Sequence, residues 1–192
     1  AWFFIESDPG ASIVYGQKTK NKEELQEMIN QDKWDDIYKK YPVADGDFVY
    51  LPAGCLHAMG KGNVVYEIQQ STDVTYRFYD YHRKDKDGNE RELHLKQAID
   101  CLSFDKDIDK NDVHPVVKVH ENMKETIFIS NDSFTVSQLL VIGKCQYKCD
   151  NYQLATVVKG SGKVDEYDVK VGDNFLIPTN TSIELDGQMM IM

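Results

Sequence analysis

Gly46-Asp47-Phe48-Val49-Tyr50-Leu51-Pro52 and Gly172-Asp173-Asn174-Phe175-Leu176-Ile177-Pro178 are one seven-residue pattern written twice. Each copy opens with Gly-Asp, a dipeptide suited to a tight turn, continues through four residues of strand character, and ends at a proline that cannot donate to a sheet ladder. A valine stands three residues before the glycine in both copies, at Val43 and Val169. Two unrelated hairpins with similar turn chemistry would also match. The shared Gly-to-Pro spacing in two strand-rich halves nevertheless favours duplication of one β-domain. The copies part company just beyond: five residues after Pro52 stands His57, and five after Pro178 stands Ile183.

Outward from this repeat, most of the chain reads as short strands between turn residues. Strands are expected at 47–51, 64–70, 75–81, 125–129, 133–142, 152–158, 163–167 and 173–177, a sandwich or barrel pattern. Asp8-Pro9-Gly10, between apolar runs at 1–6 and 12–15, predicts a hairpin. Asn21 followed by Glu24 has the spacing of a capping box, and Leu25, Met28 and Ile29 follow at helical intervals. A second short helix is expected to carry Trp34, Ile37, Tyr38 and Tyr41 on one face and to stop at Pro42. Residues 93–102 read as a short amphipathic helix and 84–89 as a charged turn. The polar stretch 105–112 is read as a boundary. It separates a first domain, 1–104, with a helical insert at about 21–41, from a second β-domain, 113–192.

Composition narrows the function. The chain has 192 residues, with 22 Lys+Arg against 32 Asp+Glu and a net charge of −10. That balance argues against nucleic acid, whose binding rests on clustered cations. Only three arginines occur, Arg77, Arg83 and Arg91, and none lies in a basic block. No apolar run is long enough to span a bilayer. Cysteines at 55, 101, 145 and 149 include no C-x-x-C pair, so free thiols and a cytoplasmic setting are expected. A Cys145–Cys149 bridge stays open. Ala1-Trp2-Phe3-Phe4-Ile5-Glu6 has neither the basic flank nor the cleavage site of a signal peptide and reads as the inside of a strand. The natural protein is therefore expected to begin before Ala1.

Gly46-x5-Pro52-x-Gly54-x2-His57 places one imidazole at the end of a strand, aimed at a barrel interior. Such a histidine is either a core residue or a metal ligand. The pattern resembles the second motif of the cupin superfamily. The longer block Pro52-Ala53-Gly54-Cys55-Leu56-His57-Ala58-Met59-Gly60-Lys61-Gly62, then Tyr66-Glu67-Ile68-Gln69-Gln70-Ser71-Thr72-Asp73-Val74-Thr75-Tyr76-Arg77-Phe78-Tyr79-Asp80-Tyr81 and Arg91-Glu92-Leu93-His94, resembles the type I mannose-6-phosphate isomerases in their short bacterial form. The resemblance is strong to about residue 102 and loose beyond it.

The resemblance implies an all-β fold of tandem cupin barrels, the first carrying the helical insert, and a zinc-dependent interconversion of mannose 6-phosphate and fructose 6-phosphate. It assigns one of four zinc ligands to His57. The others, in a Gln-x-His motif and a Glu, match nothing in 1–192, so the chain is expected to have little isomerase activity by itself. It matches Arg77 to the family's active-site arginine and Asp73 to an acid near the substrate. Without it, Arg77 reads as a rim cation stacked on tyrosine and Asp73 as a turn residue. Glu67 is either an inward carboxylate or a solvated one, and Lys61, between two glycines, either reaches a phosphate or is an ordinary surface lysine; both are carried as substrate-binding candidates. His82, His94, His114 and His120 are read as surface or structural. The expected partner is a small sugar phosphate, with neither nucleic acid nor membrane, and the oligomeric state is open. Two rivals stand beside this reading: a cupin module that binds a sugar or sugar phosphate without catalysis, and another metal-dependent cupin enzyme such as an iron dioxygenase.

Overall fold

The duplicated turn is built the same way in both places. In the computed structural model, which describes residues 1–72, 74–104 and 113–192, Gly46 and Gly172 sit at φ of 84° and 92°, where a side chain would be strained. Gly46 N–H donates to Phe4 O and Phe4 N–H to Asp47 O, at 2.8 and 2.9 Å. Gly172 N–H donates to Val157 O and Val157 N–H to Asp173 O, at 2.9 and 3.0 Å. Each aspartate also closes its own turn, Asp47 Oδ2 accepting from Ala44 N–H and Asp173 Oδ2 from Lys170 N–H.

The chain divides into two compact units, Ala1–Asp112 and Val113–Met192. Unit 1 holds strands β1 (Trp2–Ser7), β2 (Ser12–Gln17), β3 (Tyr38–Pro42), β4 (Phe48–Val49), β5 (His57–Met59) and β6 (Asn63–Glu67), with helices α1 (Lys22–Asn30), α2 (Trp34–Ile37) and α3 (Leu95–Cys101). Two three-stranded sheets, β4–β1–β6 and β3–β2–β5, enclose a core of Trp2, Phe4 and Val49 from one side and Ile13 and Tyr15 from the other. The expected hairpin at Asp8-Pro9-Gly10 is therefore corrected: β1 and β2 belong to different sheets. Their apolar residues bury one core from opposite sides, which pairing side by side would not allow.

Asn21 caps α1 as its spacing predicts, accepting from Glu24 N–H at 2.8 Å, while Glu24 reaches back to Lys20 N–H. Leu25 and Ile37 are fully buried with Val14 and Tyr38 in a second core, each contributing about 2 kcal/mol of transfer free energy. The expected second helix ends at Ile37, and Tyr38–Pro42 is a strand on β2. Tyr41 packs into the first core and Tyr38 into the second; a helix would have put these i,i+3 residues on one face, whereas a strand segment can serve two. The expected strand at 75–81 is absent. Its period-two burial is present, with Phe78 and Asp80 buried. These residues meet the helical layer and two arginines, not a sheet ladder.

Unit 2 holds β7 (Val116–His120), β8 (Met123–Ser130), β9 (Thr135–Ile142), β10 (Cys145–Cys149), β11 (Gln153–Val164), β12 (Tyr167–Lys170), β13 (Asn174–Ile177) and β14 (Thr181–Ile191). The main path runs β12–β11–β14–β9–β8–β7, with β10 on β14 and β13 on β11, around Val141, Val157, Leu185 and Ile191. Strands β7, β10 and β14 were not among those expected. Polar residues masked β10, which buries only Tyr147 and Cys149 outright, whereas β7 is exposed along its whole length and presents no buried face. All four cysteines are free thiols. Cys145 and Cys149 stand four residues apart along one strand, on the order of 13 Å, too far for a bridge.

The repeat extends well beyond the turn. A bulge interrupts the β1–β6 register after Phe4 and the β11–β14 register after Val157, at equivalent positions. Strand β11 continues through both halves of its unit, where unit 1 breaks into β1 and β2. Val164 and Tyr167 are joined by the two residues Asp165-Glu166; the corresponding gap in unit 1, between the paired Gln17 and Tyr38, holds α1 and α2. Among the described residues no helix is long and apolar enough to cross a membrane.

Candidate functional site

Local chemistry sets His57. Cys55 N–H bonds to Pro52 O, and Gly54 O accepts from Ser103 N–H. A Cβ on Gly54, at φ +81°, would lie 2.9 Å from Cys101 O, so only glycine lets this loop seat against the end of α3. The chain then enters β5, where His57 stands opposite Tyr15, on the face that carries Ile13 into the first core. The imidazole lies on the inner face as expected, but it is exposed, not enclosed by a barrel. Its Nδ1 lies 2.9 Å from Cys55 O. A carbonyl only accepts, so Nδ1 is the donor, and the tautomer this selects has its lone pair on Nε2.

Trp2 joins this imidazole to a carboxylate. The indole is 4 % exposed, meets the His57 ring edge-on with centroids 5.5 Å apart, and donates from Nε1 to Glu67 Oε1 at 3.0 Å. Trp2 and Glu67 are direct partners across β1 and β6, which puts Glu67 on the inner face with Val65. The open question over Glu67 thus resolves both ways: the carboxylate is inward in register and exposed in accessibility. The sequence reading missed Trp2. Its signal, an aromatic on the strand that receives the Gly-Asp turn, becomes meaningful only once the register is known.

Lys61 lies in the turn between β5 and β6, exposed and without a hydrogen bond or ion pair among the described residues. Cys55 is buried, with its thiol pushed up to about 11 by desolvation, which removes it as a nucleophile. Asp73 lies outside the described residues.

Arg77 is half-buried in the irregular segment after β6. Its Nη1 donates to Glu92 O at 3.0 Å, its backbone N–H to His94 Nδ1 at 3.1 Å, and its carbonyl accepts from His94 N–H at 2.8 Å. His94 thus has a definite structural partner. Three residues on, Asp80 is 5 % exposed and holds both other arginines. Arg91 bonds it with a two-pronged fork and Arg83 through Nε and Nη2. The Arg91 hydrogen bonds, with those of Arg83, hold the Asp80 carboxyl well below the usual carboxylate range. The candidates therefore fall into two groups, His57–Trp2–Glu67 and Arg77–Glu92–His94, with no hydrogen bond or ion pair between them. Among the described residues no group of three His, Cys, Asp or Glu side chains is placed to hold a metal ion.

Unit 2 lacks the tryptophan and the histidine of the first group. Pairing equivalence puts Ala155 where unit 1 has Trp2, and Ile183 where it has His57. Both are buried in the unit 2 core.

Comparison with known proteins gives a consistent result. The family "Mannose-6-phosphate isomerase, cupin domain" matches residues 124–192, the half whose resemblance reads as the looser. A mannose-6-phosphate isomerase of Streptococcus mutans is 38% identical over 100% of this chain and 61% of its own length. Mannose-6-phosphate isomerase ManA of Bacillus subtilis is 36% identical over 92% of this chain and 57% of its own. The crystal structure of the Bacillus subtilis mannose 6-phosphate isomerase superposes with a TM-score of 0.92 at 30% identity, covering 99% of this chain and 62% of that one. The chain thus spans about three fifths of the length of these relatives.

Proposed function

Because this chain belongs, over its 192 residues, to the mannose-6-phosphate isomerase family of cupins, we propose that it is part of a cytoplasmic enzyme interconverting mannose 6-phosphate and fructose 6-phosphate. Unit 1 carries the chemistry and unit 2 is a non-catalytic cupin-like domain. The supporting observation is the Trp2 contact pair. One indole separates an imidazole with an open Nε2 from a carboxylate with an open oxygen, each presented by a different sheet. The unit 2 positions equivalent to Trp2 and His57, Ala155 and Ile183, are apolar.

The isomerisation moves a proton between C2 and C1 of an open-chain sugar phosphate through an enediolate. It needs a base, stabilisation of the developing oxyanion, and cations for the phosphate. In this reading Glu67 accepts hydrogen bonds from sugar hydroxyls with its free oxygen and Lys61 meets the phosphate. Arg77, always charged, binds the substrate oxygen at the reacting carbons and stabilises the oxyanion that develops there, and Asp73 orients it or relays the proton. Zinc would add Lewis acidity. The residues of this chain do not by themselves fit a zinc ion: one imidazole does not supply four-coordinate geometry, and no three-donor group is present among the described residues. His57 is proposed as a single ligand in a protein of the relatives' length.

A coupled assay for fructose 6-phosphate formation tests the reading. The 192-residue chain is expected to show little turnover even with zinc added. Robust turnover abolished by Arg77→Ala would mean that a complete site is present and the ligand assignment is wrong. Binding of mannose 6-phosphate without deuterium incorporation at C2 from heavy water, in a protein of the relatives' length, would favour a binding module over an enzyme.

A further inference from the structure

All three arginines of the chain fall within fifteen residues, among 19 lysines spread along the whole sequence. Two of them are committed to one carboxylate. Asp80 Oδ2 accepts from Arg91 Nε at 2.7 Å, and Oδ1 accepts from Arg91 Nη2 and from Arg83 Nε and Nη2. Forked guanidinium–carboxylate bonds fix geometry as well as charge, and this one joins two arms of a strap. One arm, Arg77 to Asp80, is pinned below by Phe78 in the second core and by Tyr79 stacked on Trp34 at 4.2 Å and 9°. The other arm, Arg91 to His94, supplies both groups that hold Arg77: the Glu92 carbonyl next to Arg91, and the His94 ring. The strap closes at its far end through the Lys84–Glu90 bridge and a turn in which Asp85 accepts from Asp87 and Asn89 N–H.

We propose that Asp80 is a positioning residue for Arg77. By locking Arg91 to its own arm, it fixes where Glu92 O and His94 stand, and so where the Arg77 guanidinium points. This rests on the role given to Arg77 above. A clamp that only stabilises the fold makes a different prediction. A purely structural Asp80 acts independently of what side chain stands at 77. A positioning Asp80 has nothing left to position once Arg77 loses its fork, so the two substitutions are not additive.

The test compares wild type, Asp80→Asn, Arg77→Lys and the double variant by calorimetric affinity for mannose 6-phosphate. Alongside it runs amide hydrogen exchange at Arg77 and His94, whose N–H groups bridge the arms. Asp80→Asn is expected to speed exchange at both amides at least about tenfold while Val14 in the core is unchanged. It should weaken affinity about as much as Arg77→Lys, and the double variant should be no weaker than the worse single. Unchanged exchange at Arg77 and His94 overturns the clamp. Full additivity in the double variant overturns positioning in favour of a structural role. If Arg77→Lys leaves affinity intact, the role given to Arg77 fails, and Asp80's place in the chemistry fails with it, whatever exchange shows. Should Asp80→Asn not fold, Arg91→Lys keeps the charge, removes the fork at a half-exposed side chain, and carries the same expectations.

Discussion

Replacing Trp2 by phenylalanine tests whether the indole is a tie between the two sheets or merely a large core residue. The smaller ring withdraws about 40 Å² of apolar surface from burial, about 1 kcal/mol at about 25 cal/mol per Å². A residual void of about 30 Å³ adds about 0.7 kcal/mol. The lost Nε1–H donation to Glu67 contributes about 0.5 kcal/mol, the low end of the usual range, because this carboxylate is exposed and water replaces the donor. The sum is about 2 kcal/mol, close to a 30-fold fall in the folded-to-unfolded ratio. Both tryptophans lie in unit 1, so in the variant Trp34 fluorescence reports the unfolding of unit 1 alone in a urea titration. A loss under about 0.5 kcal/mol, or an unchanged His57 ring environment by NMR, would refute the account of Trp2 as the element that sets both site residues.

Three further outcomes follow from the geometry. Gly160→Ala should be far costlier than Gly172→Ala. The first puts a Cβ 2.0 Å from Gln188 O and the second meets nothing within 4 Å, so soluble yield and Tm should separate a broken β11–β14 seam from a strain of about 1 kcal/mol. Brief alkylation near pH 8, read by mass spectrometry, should label the exposed Cys101 before Cys55, whose buried thiol is pushed up to about 11; equal labelling would contradict that burial. The Asp80 carboxyl is depressed in the folded state, so the unfolded chain binds the extra proton in acid and stability falls with falling pH. The Tm gap between wild type and Asp80→Asn should persist at neutral pH and close below the ordinary carboxylate value of 3.8; a gap that does not change with pH would refute it.

Much of this architecture was legible where local chemistry decides it. The Gly-Asp turns, the Asn21 cap and the break in the β pattern at the helical insert are written in adjacent residues. What stayed hidden depends on register. Trp2 and Glu67 are 65 positions apart, and nothing in either sequence neighbourhood says that they face each other. Tyr38 and Tyr41 fit a helical face by spacing, and only pairing with β2 turns them to opposite sides. The 75–81 segment has the alternation of a strand, but its alternate residues are satisfied by Trp34, Arg83 and Arg91, contacts that periodicity does not distinguish from a ladder. Asp80 was read only as part of that alternation; the clustering of every arginine around it was the available signal.

The helical insert has a counterpart worth following. At the place where unit 1 carries α1 and α2, unit 2 makes do with Asp165-Glu166, so the two halves record the same hairpin with and without a payload. Closure entropy grows only slowly with loop length, and a module whose own ends meet at a strand pair leaves the barrel beneath undisturbed. The Asp165-Glu166 tip is therefore a natural grafting point, a socket already shown by its twin to accept some twenty residues, and a folded peptide inserted there should ride on unit 2 without disturbing its core.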